Sequence, residues 1–148
     1  MTTPTTPSAN EATSQELTEP GTFMQRSGLV IESVSGTRVT GYIDLGPDHH
    51  TPWGIVHGGV YATAVESAAS IGASEAVRKD GLIAVGLTNT THFLRPLVSG
   101  RVSLEAGPLN QGRTQQLWRV DITDATGRLV AHGELRLQNI PMPTEPAA

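Results

Sequence analysis

The chain has 148 residues, no cysteine and a formal net charge of −4 at pH 7. Its length predicts one domain, and without cysteine it can form neither a disulfide nor a thiolate metal site or nucleophile. The basic residues are scattered, with almost no aromatic residues among them, which argues against nucleic acid as a partner. No apolar stretch reaches the length of a membrane span. Because the start of the chain lacks the basic and apolar regions of an export signal, we expect a soluble cytoplasmic protein.

The composition of both ends predicts tails. Residues 1–20 are rich in Thr, Pro, Ser and Glu and almost free of apolar side chains, so they are expected to be disordered. Residues 141–148 form a second polar, proline-rich end. The predicted folded domain therefore spans residues 21–140.

The pattern between these ends predicts short strands around one long helix. A hairpin is expected over residues 28–45, followed by a loop. Residues 60–79 lack proline and are mostly apolar, which is typical of a long buried helix. Strands are predicted over residues 82–94, 101–109, 114–123 and 129–140, joined by tight turns. This order predicts an α+β fold, in which an antiparallel sheet wraps around a central helix.

One carboxylate, Glu66, stands in the middle of the apolar helix. It shares a helix face with Gly59, Thr63 and Ser70, which follow at steps of three or four residues. Burying a carboxylate is costly unless it is hydrogen-bonded, so Glu66 is a candidate functional residue. The alternative is a carboxylate at the rim of the helix, solvated or hydrogen-bonded to Ser70.

A double glycine, Gly58-Gly59, precedes the helix. Its N–H groups can approach another atom closely and carry the positive end of the helix dipole, so they could polarise a carbonyl or bind an anion. A tight turn without a ligand is the other interpretation. Gly58 and Glu66 are about 12 Å apart along a helix axis, too far for one chain to bring both to the same atom. If they act together, two antiparallel copies must pair, and the active unit is at least a dimer.

The run from Trp53 to Gly59, followed by Glu66-Ser67, resembles the hotdog-fold acyl-CoA thioesterases. The most similar branch is the PaaI-like group, which includes the Arthrobacter-type 4-hydroxybenzoyl-CoA and the 1,4-dihydroxy-2-naphthoyl-CoA thioesterases. Further matches lie in the following strand and the last hairpin, so the resemblance covers about residues 29–140. It implies a hotdog fold, an acyl- or aroyl-CoA substrate that is hydrolysed to a carboxylic acid and free CoA, and homodimers that pair into tetramers.

The resemblance also implies roles for residues of the motif. Glu66 is the catalytic carboxylate, either as nucleophile or as general base on water, and the Gly58 N–H polarises the thioester carbonyl. His57 shapes the turn and contacts the substrate, and Ser70 orients the carboxylate or the attacking water. No metal or redox cofactor is needed. The phosphates of CoA are expected on surface cations, first Arg113 and then Arg95. The residues expected to bind substrate or CoA are Gly59, His50, Asn89, His92, Arg95 and Arg113.

The chain departs from the family at one catalytic position. The family usually has a Gln two residues before the aromatic residue of the loop, and here that position is Thr51. Thr51 could hold a water in place of the amide, or His50 could reach in. Loss of one such donor can cost about 3 kcal/mol in the transition state. The missing Gln favours an alternative function, binding of acyl-CoA or a related ligand without turnover, whereas Glu66 disfavours it. A third interpretation is that Glu66 only fixes the dimer.

Several histidine and tryptophan residues are candidates for other functions. His49, His50 and His57 lie close together, but their spacing fits no strong metal-binding pattern, so no metal site is expected. His132 is expected on a strand face in a structural role. Trp53 and Trp118 are expected to pack rather than to stack on nucleic acid bases.

Overall fold

A computed structural model of the protein describes residues 21–143, which form one long helix against a six-stranded antiparallel sheet. Two 3-10 turns, Pro47–His49 and Arg78–Asp80, lie before and just after the long helix. The helices and strands, in chain order, are α1 (Thr22–Ser27), β1 (Leu29–Val34), β2 (Val39–Leu45), α2 (Gly58–Val77), β3 (Leu82–Phe93), β4 (Gly100–Gln111), β5 (Gln115–Thr123) and β6 (Leu129–Pro141). The predicted α+β class and the hotdog arrangement are confirmed.

The strand order explains how the sheet wraps α2. It runs β1-β2-β4-β5-β6-β3, and every neighbouring pair is antiparallel. Helix α2 separates β2 from β3 in the chain, and β3 lies at the far end of the sheet beside β6. All six strands contact α2. The helix therefore lies in the concave face of the sheet, and β1 and β3 form its two edges.

The centre of the core lies between α2 and β5. Trp118 of β5 is fully buried, and its indole N–H donates to Gln116 Oε1 at 2.9 Å. The Gln116 amide in turn donates to the Ala73 carbonyl of α2 at 3.0 Å. A Cβ on Gly72 would lie only 2.5 Å from Trp118 Cη2. The single internal glycine of α2 therefore lets the helix lie directly on the indole ring.

The structure differs from the sequence-based boundaries at three places. Helix α2 begins at Gly58 rather than at residue 60, and its last turn tightens into the 3-10 turn. The short helix α1 was not predicted. The predicted C-terminal tail begins inside the sheet, because Pro141 pairs with Leu82 and the Met142 N–H donates to Gly81 at 3.0 Å. The predicted tail over residues 1–20 lies outside the described residues, as do residues 144–148.

In the part of the chain that the structure describes, no helix is both long enough and apolar enough to cross a bilayer.

Candidate active site

The N-terminus of α2 presents one backbone donor without a partner. His57 caps the helix: its Nδ1 accepts the Gly59 N–H at 2.8 Å and its carbonyl accepts the Val60 N–H at 3.1 Å. The Gly58 N–H donates to no described residue. A Cβ on Gly58 would lie 2.5 Å from Phe93 Cε2, so only glycine lets the Phe93 ring lie here without displacement. His57 therefore shapes the turn as the cap of the helix. The Gly59 N–H is already hydrogen-bonded to His57 Nδ1 and is not available to a ligand.

Gly58 lines a pocket of about 350 Å³ between the α2 N-terminus and the segment after β3. Thr51 and Arg95, two of the predicted site residues, line the same pocket. Thr51 Oγ1 accepts the Trp53 N–H at 3.3 Å, which leaves the hydroxyl proton of Thr51 to donate elsewhere. The pocket thus combines a backbone donor, a hydroxyl and an exposed cation.

Tyr61 forms part of the inner wall of this pocket. Its side chain is 2% exposed, and its hydroxyl has no hydrogen-bond partner within residues 21–143. Burial raises the pKa of Tyr61, because removal from water disfavours the phenolate. The hydroxyl therefore stays protonated at neutral pH.

Two loops are tied together beneath the Gly58 pocket. His50 Nε2 lies 2.6 Å from the Val98 carbonyl, and the Val56 N–H donates to Leu97 at 2.8 Å. The His57 N–H donates to the His49 carbonyl at 2.8 Å. His50 does not line the pocket. The structure therefore gives His50 a role in fixing the loop rather than the position in which it would replace the missing Gln.

Glu66 lines a second pocket, of about 500 Å³, enclosed by α1, α2 and β3. The carboxylate is exposed in the single chain, although Val65 and Ala68 beside it are buried, because Glu66 lies on the side of α2 that the sheet leaves uncovered. Of the two alternatives for Glu66, a single chain therefore matches the solvated carboxylate at the rim of the helix and not the buried one. Its Oε1 lies 3.4 Å from the point where a Cβ of Gly86 would be, so β3 passes close beneath it. Among the described residues the carboxylate has no hydrogen-bond or ion-pair partner.

Two other predicted site residues, Ser70 and Asn89, line the Glu66 pocket. The Asn89 amide donates to the Ala62 carbonyl at 2.9 Å, and its Oδ1 accepts the Thr91 hydroxyl at 2.7 Å. Ala62 lies one helical turn before Glu66. Asn89 thus joins β3 to the turn of α2 that precedes Glu66, and this contact was not expected from the sequence.

His92 and Arg113 lie away from both pockets. His92 pairs with His132 in register, and because Thr91 and Phe93 on either side point toward α2, His92 points to the opposite face of the sheet. Arg113 is exposed in the turn between β4 and β5. In a single chain, neither residue comes together with Glu66 or Gly58.

The remaining histidine and tryptophan predictions have mixed outcomes. His132 Nδ1 lies 2.7 Å from Asp121 Oδ1, so His132 has the expected structural contact. Trp118 is buried as predicted, but Trp53 is 85% exposed at the tip of its loop, so it does not pack within a single chain as expected. Nowhere within residues 21–143 do three His, Asp or Glu side chains come together in a way that could hold a metal ion.

The central part of the chain, which contributes residues to both pockets, matches a known family. The sequence profile described as "Thioesterase superfamily" matches residues 54–131, which include Gly58, all of α2 and Glu66. The chain belongs to the thioesterase superfamily. As a member it is a thioester hydrolase, and its fold agrees with that of solved members.

Three similar proteins place the chain within this superfamily. A Mycobacterium tuberculosis protein, provisionally assigned as an esterase, is 41% identical over 120 residues, which cover 80% of this chain and 86% of that protein. The 1,4-dihydroxy-2-naphthoyl-CoA hydrolase of Listeria monocytogenes is 32% identical over 103 residues, 70% of this chain and 83% of the hydrolase. The solved structure of a thioesterase from Haemophilus influenzae superposes with a TM-score of 0.80 at 26% identity, covering 91% of this chain and 95% of that chain.

Proposed function

We propose that this protein hydrolyses the CoA thioester of an acyl or aroyl group to a carboxylic acid and free CoA. The observation that carries the proposal is a pair of groups of complementary chemistry on α2, a carboxylate and a backbone N–H. The Glu66 carboxylate and the Gly58 N–H have no partners among the described residues, and each opens into its own pocket. The name of the Listeria monocytogenes relative, a naphthoyl-CoA hydrolase, supports a CoA thioester as the substrate class.

The proposed active unit is a homodimer, and such dimers are proposed to pair into a tetramer. Gly58 and Glu66 are about 12 Å apart along α2, whereas a reacting carbonyl needs both groups within about 3 Å. Two antiparallel copies of α2 would bring the Gly58 amide of one copy to the Glu66 carboxylate of the other. Within the described residues β3 pairs only with β6. Its open edge can therefore extend the sheet into a second copy.

The proposed reaction is attack on the thioester carbonyl carbon. As a general base, Glu66 takes a proton from water while the water oxygen bonds to that carbon. As a nucleophile, its own oxygen forms the bond, and water then hydrolyses the resulting anhydride. In either case the C–S bond breaks, and the sulfur of CoA leaves as a thiolate that takes up a proton. The Gly58 N–H stabilises the oxyanion, and one such donor contributes about 10²–10³-fold to kcat. The reaction uses no metal or redox cofactor.

The other predicted site residues are assigned supporting roles in this proposal. Ser70 orients Glu66 or the water, and the free hydroxyl proton of Thr51 replaces the family Gln as the second donor in the Gly58 pocket. Arg95, exposed at the same pocket, is the better supported cation for the CoA phosphates. Arg113 and His92 can contribute only from another copy in the assembled oligomer.

A second candidate function is binding of an acyl-CoA without turnover. It is favoured by Thr51, because a hydroxyl offers fewer hydrogen-bonding groups than the amide it replaces. The unpartnered Glu66 carboxylate argues against it, since a pure binding site gains nothing from a carboxylate beside a thioester.

Release of free thiol from benzoyl-, naphthoyl- and medium-chain acyl-CoA separates the two candidates. We expect Glu66→Gln to lower kcat by about 10²–10⁴-fold, the usual contribution of a positioned base. Glu105→Gln is the matched control, because Glu105 is exposed on the far face of the sheet and forms an ion pair with Arg38 at 3.2 Å, away from both pockets. Binding of these thioesters without thiol release by the wild-type protein would contradict the hydrolase and support the binding protein.

A further inference from the structure

Helix α1 takes no part in the proposed chemistry, yet it forms one wall of the pocket that holds Glu66. Phe23 and Met24 line this pocket from α1, opposite the polar side chains that α2 contributes. No pattern in the sequence predicts that residues before β1 line the Glu66 pocket. Helix α1 is therefore positioned to contact a ligand that binds in this pocket.

The end of α1 is fixed to the rest of the fold. Gly28 ends the helix with a φ of 80°, a left-handed conformation that favours glycine. The Ser27 carbonyl lies 2.9 Å from His49 Nε2, while His49 Nδ1 accepts the Gly46 N–H at 3.1 Å. Because Nδ1 accepts, Nε2 must carry the proton and donate to Ser27. Met24 packs against the core. The wall is thus anchored at its C-terminal end and through Met24.

Phe23, in contrast, contributes little to the fold of the single chain. Its side chain is 74% exposed, and it is not among the residues packed against the core. A benzyl group of this size left in water has apolar surface that a ligand can bury favourably. Phe23 therefore offers an apolar contact that folding has not used.

The rest of the pocket lining restricts the kind of group that can bind. Among the described residues that line the pocket none carries a positive charge, and Glu66 carries the one negative charge. An acyl group with its own carboxylate would face Glu66 without a counter-ion, which is unfavourable in a partly desolvated site. An uncharged acyl group can place its carbonyl near Glu66 and its apolar end on Phe23.

We infer that Phe23, supported by Met24, is the specificity-determining residue of this site and selects uncharged acyl groups with a large apolar end. The inference rests on the proposed hydrolase function and adds the contact that decides which acyl group is accepted. Phe23 touches the acyl group and takes no part in the bond-breaking step.

The test compares kcat/KM for benzoyl-, octanoyl-, acetyl- and succinyl-CoA in wild type and Phe23→Ala. A lost apolar contact in a pocket typically lowers kcat/KM by about 10-fold or more. We expect this loss for benzoyl- and octanoyl-CoA, a change within about twofold for acetyl-CoA, and poor turnover of succinyl-CoA throughout. Phe23→Leu should restore most of the loss. Leu109→Ala is the control, because Leu109 is 51% exposed on the outer groove of the sheet and should leave all four values unchanged.

Equal losses for acetyl- and benzoyl-CoA, or unchanged benzoyl-CoA turnover, would overturn the inference. A change of oligomeric state in Phe23→Ala would do the same, because it would make Phe23 an interface residue. Calorimetric binding of the thioethers benzyl-CoA and methyl-CoA gives a readout that does not need turnover. If the wild-type protein hydrolyses no thioester, the proposed function fails. The role of Phe23 is then tested by binding: Phe23→Ala should weaken binding of benzyl-CoA but not of methyl-CoA, and equal weakening of both would overturn the inference.

Discussion

Tyr61 carries a hydroxyl that is buried and without a hydrogen-bond partner in the described part of the chain. A buried unsatisfied polar group costs about 1–3 kcal/mol. We therefore expect Tyr61→Phe to raise the free energy of unfolding by about 1 kcal/mol, as measured by urea denaturation. Tyr42→Phe is the control, because the Tyr42 ring packs under the Arg101 guanidinium at 3.8 Å and should keep that contact. A loss of stability in Tyr61→Phe would contradict this account and reveal a partner for the hydroxyl.

Asp124 gives the fold a defined response to acid. Its carboxylate accepts hydrogen bonds from the Thr126 hydroxyl at 2.6 Å and from the Arg128 N–H at 3.0 Å, which close the turn between β5 and β6. These bonds, first that of Thr126, lower the pKa of Asp124 to about 2. Because the folded state holds the proton less tightly than the unfolded chain, this stabilisation is present above the unfolded pKa of about 4 and is lost as the pH falls toward 2.

The corresponding variant is Asp124→Asn, followed by urea unfolding between pH 7 and pH 2. We expect lower stability at pH 7 and a flatter pH dependence below pH 4, because the amide cannot titrate. Asp48→Asn, at an exposed carboxylate of the 3-10 turn after β2, should keep the wild-type profile. If Asp124→Asn has the same pH dependence of stability as wild type, other carboxylates determine the acid sensitivity and the account is contradicted.

The contact between α2 and β5 limits which residue can occupy position 72. Alanine is a better helix former than glycine by about 1 kcal/mol. The added Cβ would, however, lie 2.5 Å from Trp118 Cη2, and Trp118 is fully buried and cannot move aside. Overpacking of this kind costs about 1–3 kcal/mol. We expect Gly72→Ala to lower the melting temperature, whereas Gly46→Ala should not, because a Cβ there meets nothing within 4 Å. A more stable Gly72→Ala variant would contradict the packing.

Elements with a clear periodic pattern could be predicted from the sequence. The hairpin, α2 and the last four strands were predicted because their apolar residues repeat with the period of a strand or helix. Helix α1 was missed, since six residues are too few for a periodic pattern, and its one signal is Gly28 as a C-cap. The sequence also left two alternatives open for Glu66, a buried carboxylate and a solvated one at the rim of the helix, and could not decide between them. The neighbours of Glu66 in sequence are apolar, but which side of α2 the sheet leaves open depends on the strand order.

Large apolar side chains remain exposed around the Gly58 pocket. Trp53 is 85%, Phe93 57% and Leu94 52% exposed in the single chain. Exposed apolar patches of this kind mark interaction sites. They agree with the proposal that a second copy completes each site, and they explain why sequence reasoning misplaced Trp53. A residue buried only between copies has the same sequence signature as a core residue.

Complementation between two inactive variants tests the shared site. Gly58→Pro removes the N–H, and proline is well accepted at the first position of a helix. His57, with a ψ of 131°, already has the backbone conformation required before proline. Gly58→Ala is the matched control, because it introduces the same clash with Phe93 but keeps the N–H.

The decisive measurement is the thioesterase activity of Glu66→Gln and Gly58→Pro after the two are unfolded and refolded together. In a mixed dimer one site has lost both groups and the other is intact, so random pairing should restore about one quarter of wild-type activity. Each variant alone should stay nearly inactive, and Gly58→Ala should retain more activity than Gly58→Pro. Activity of the mixture no higher than that of the separate variants, with both folded and dimeric, would contradict a site shared between two chains.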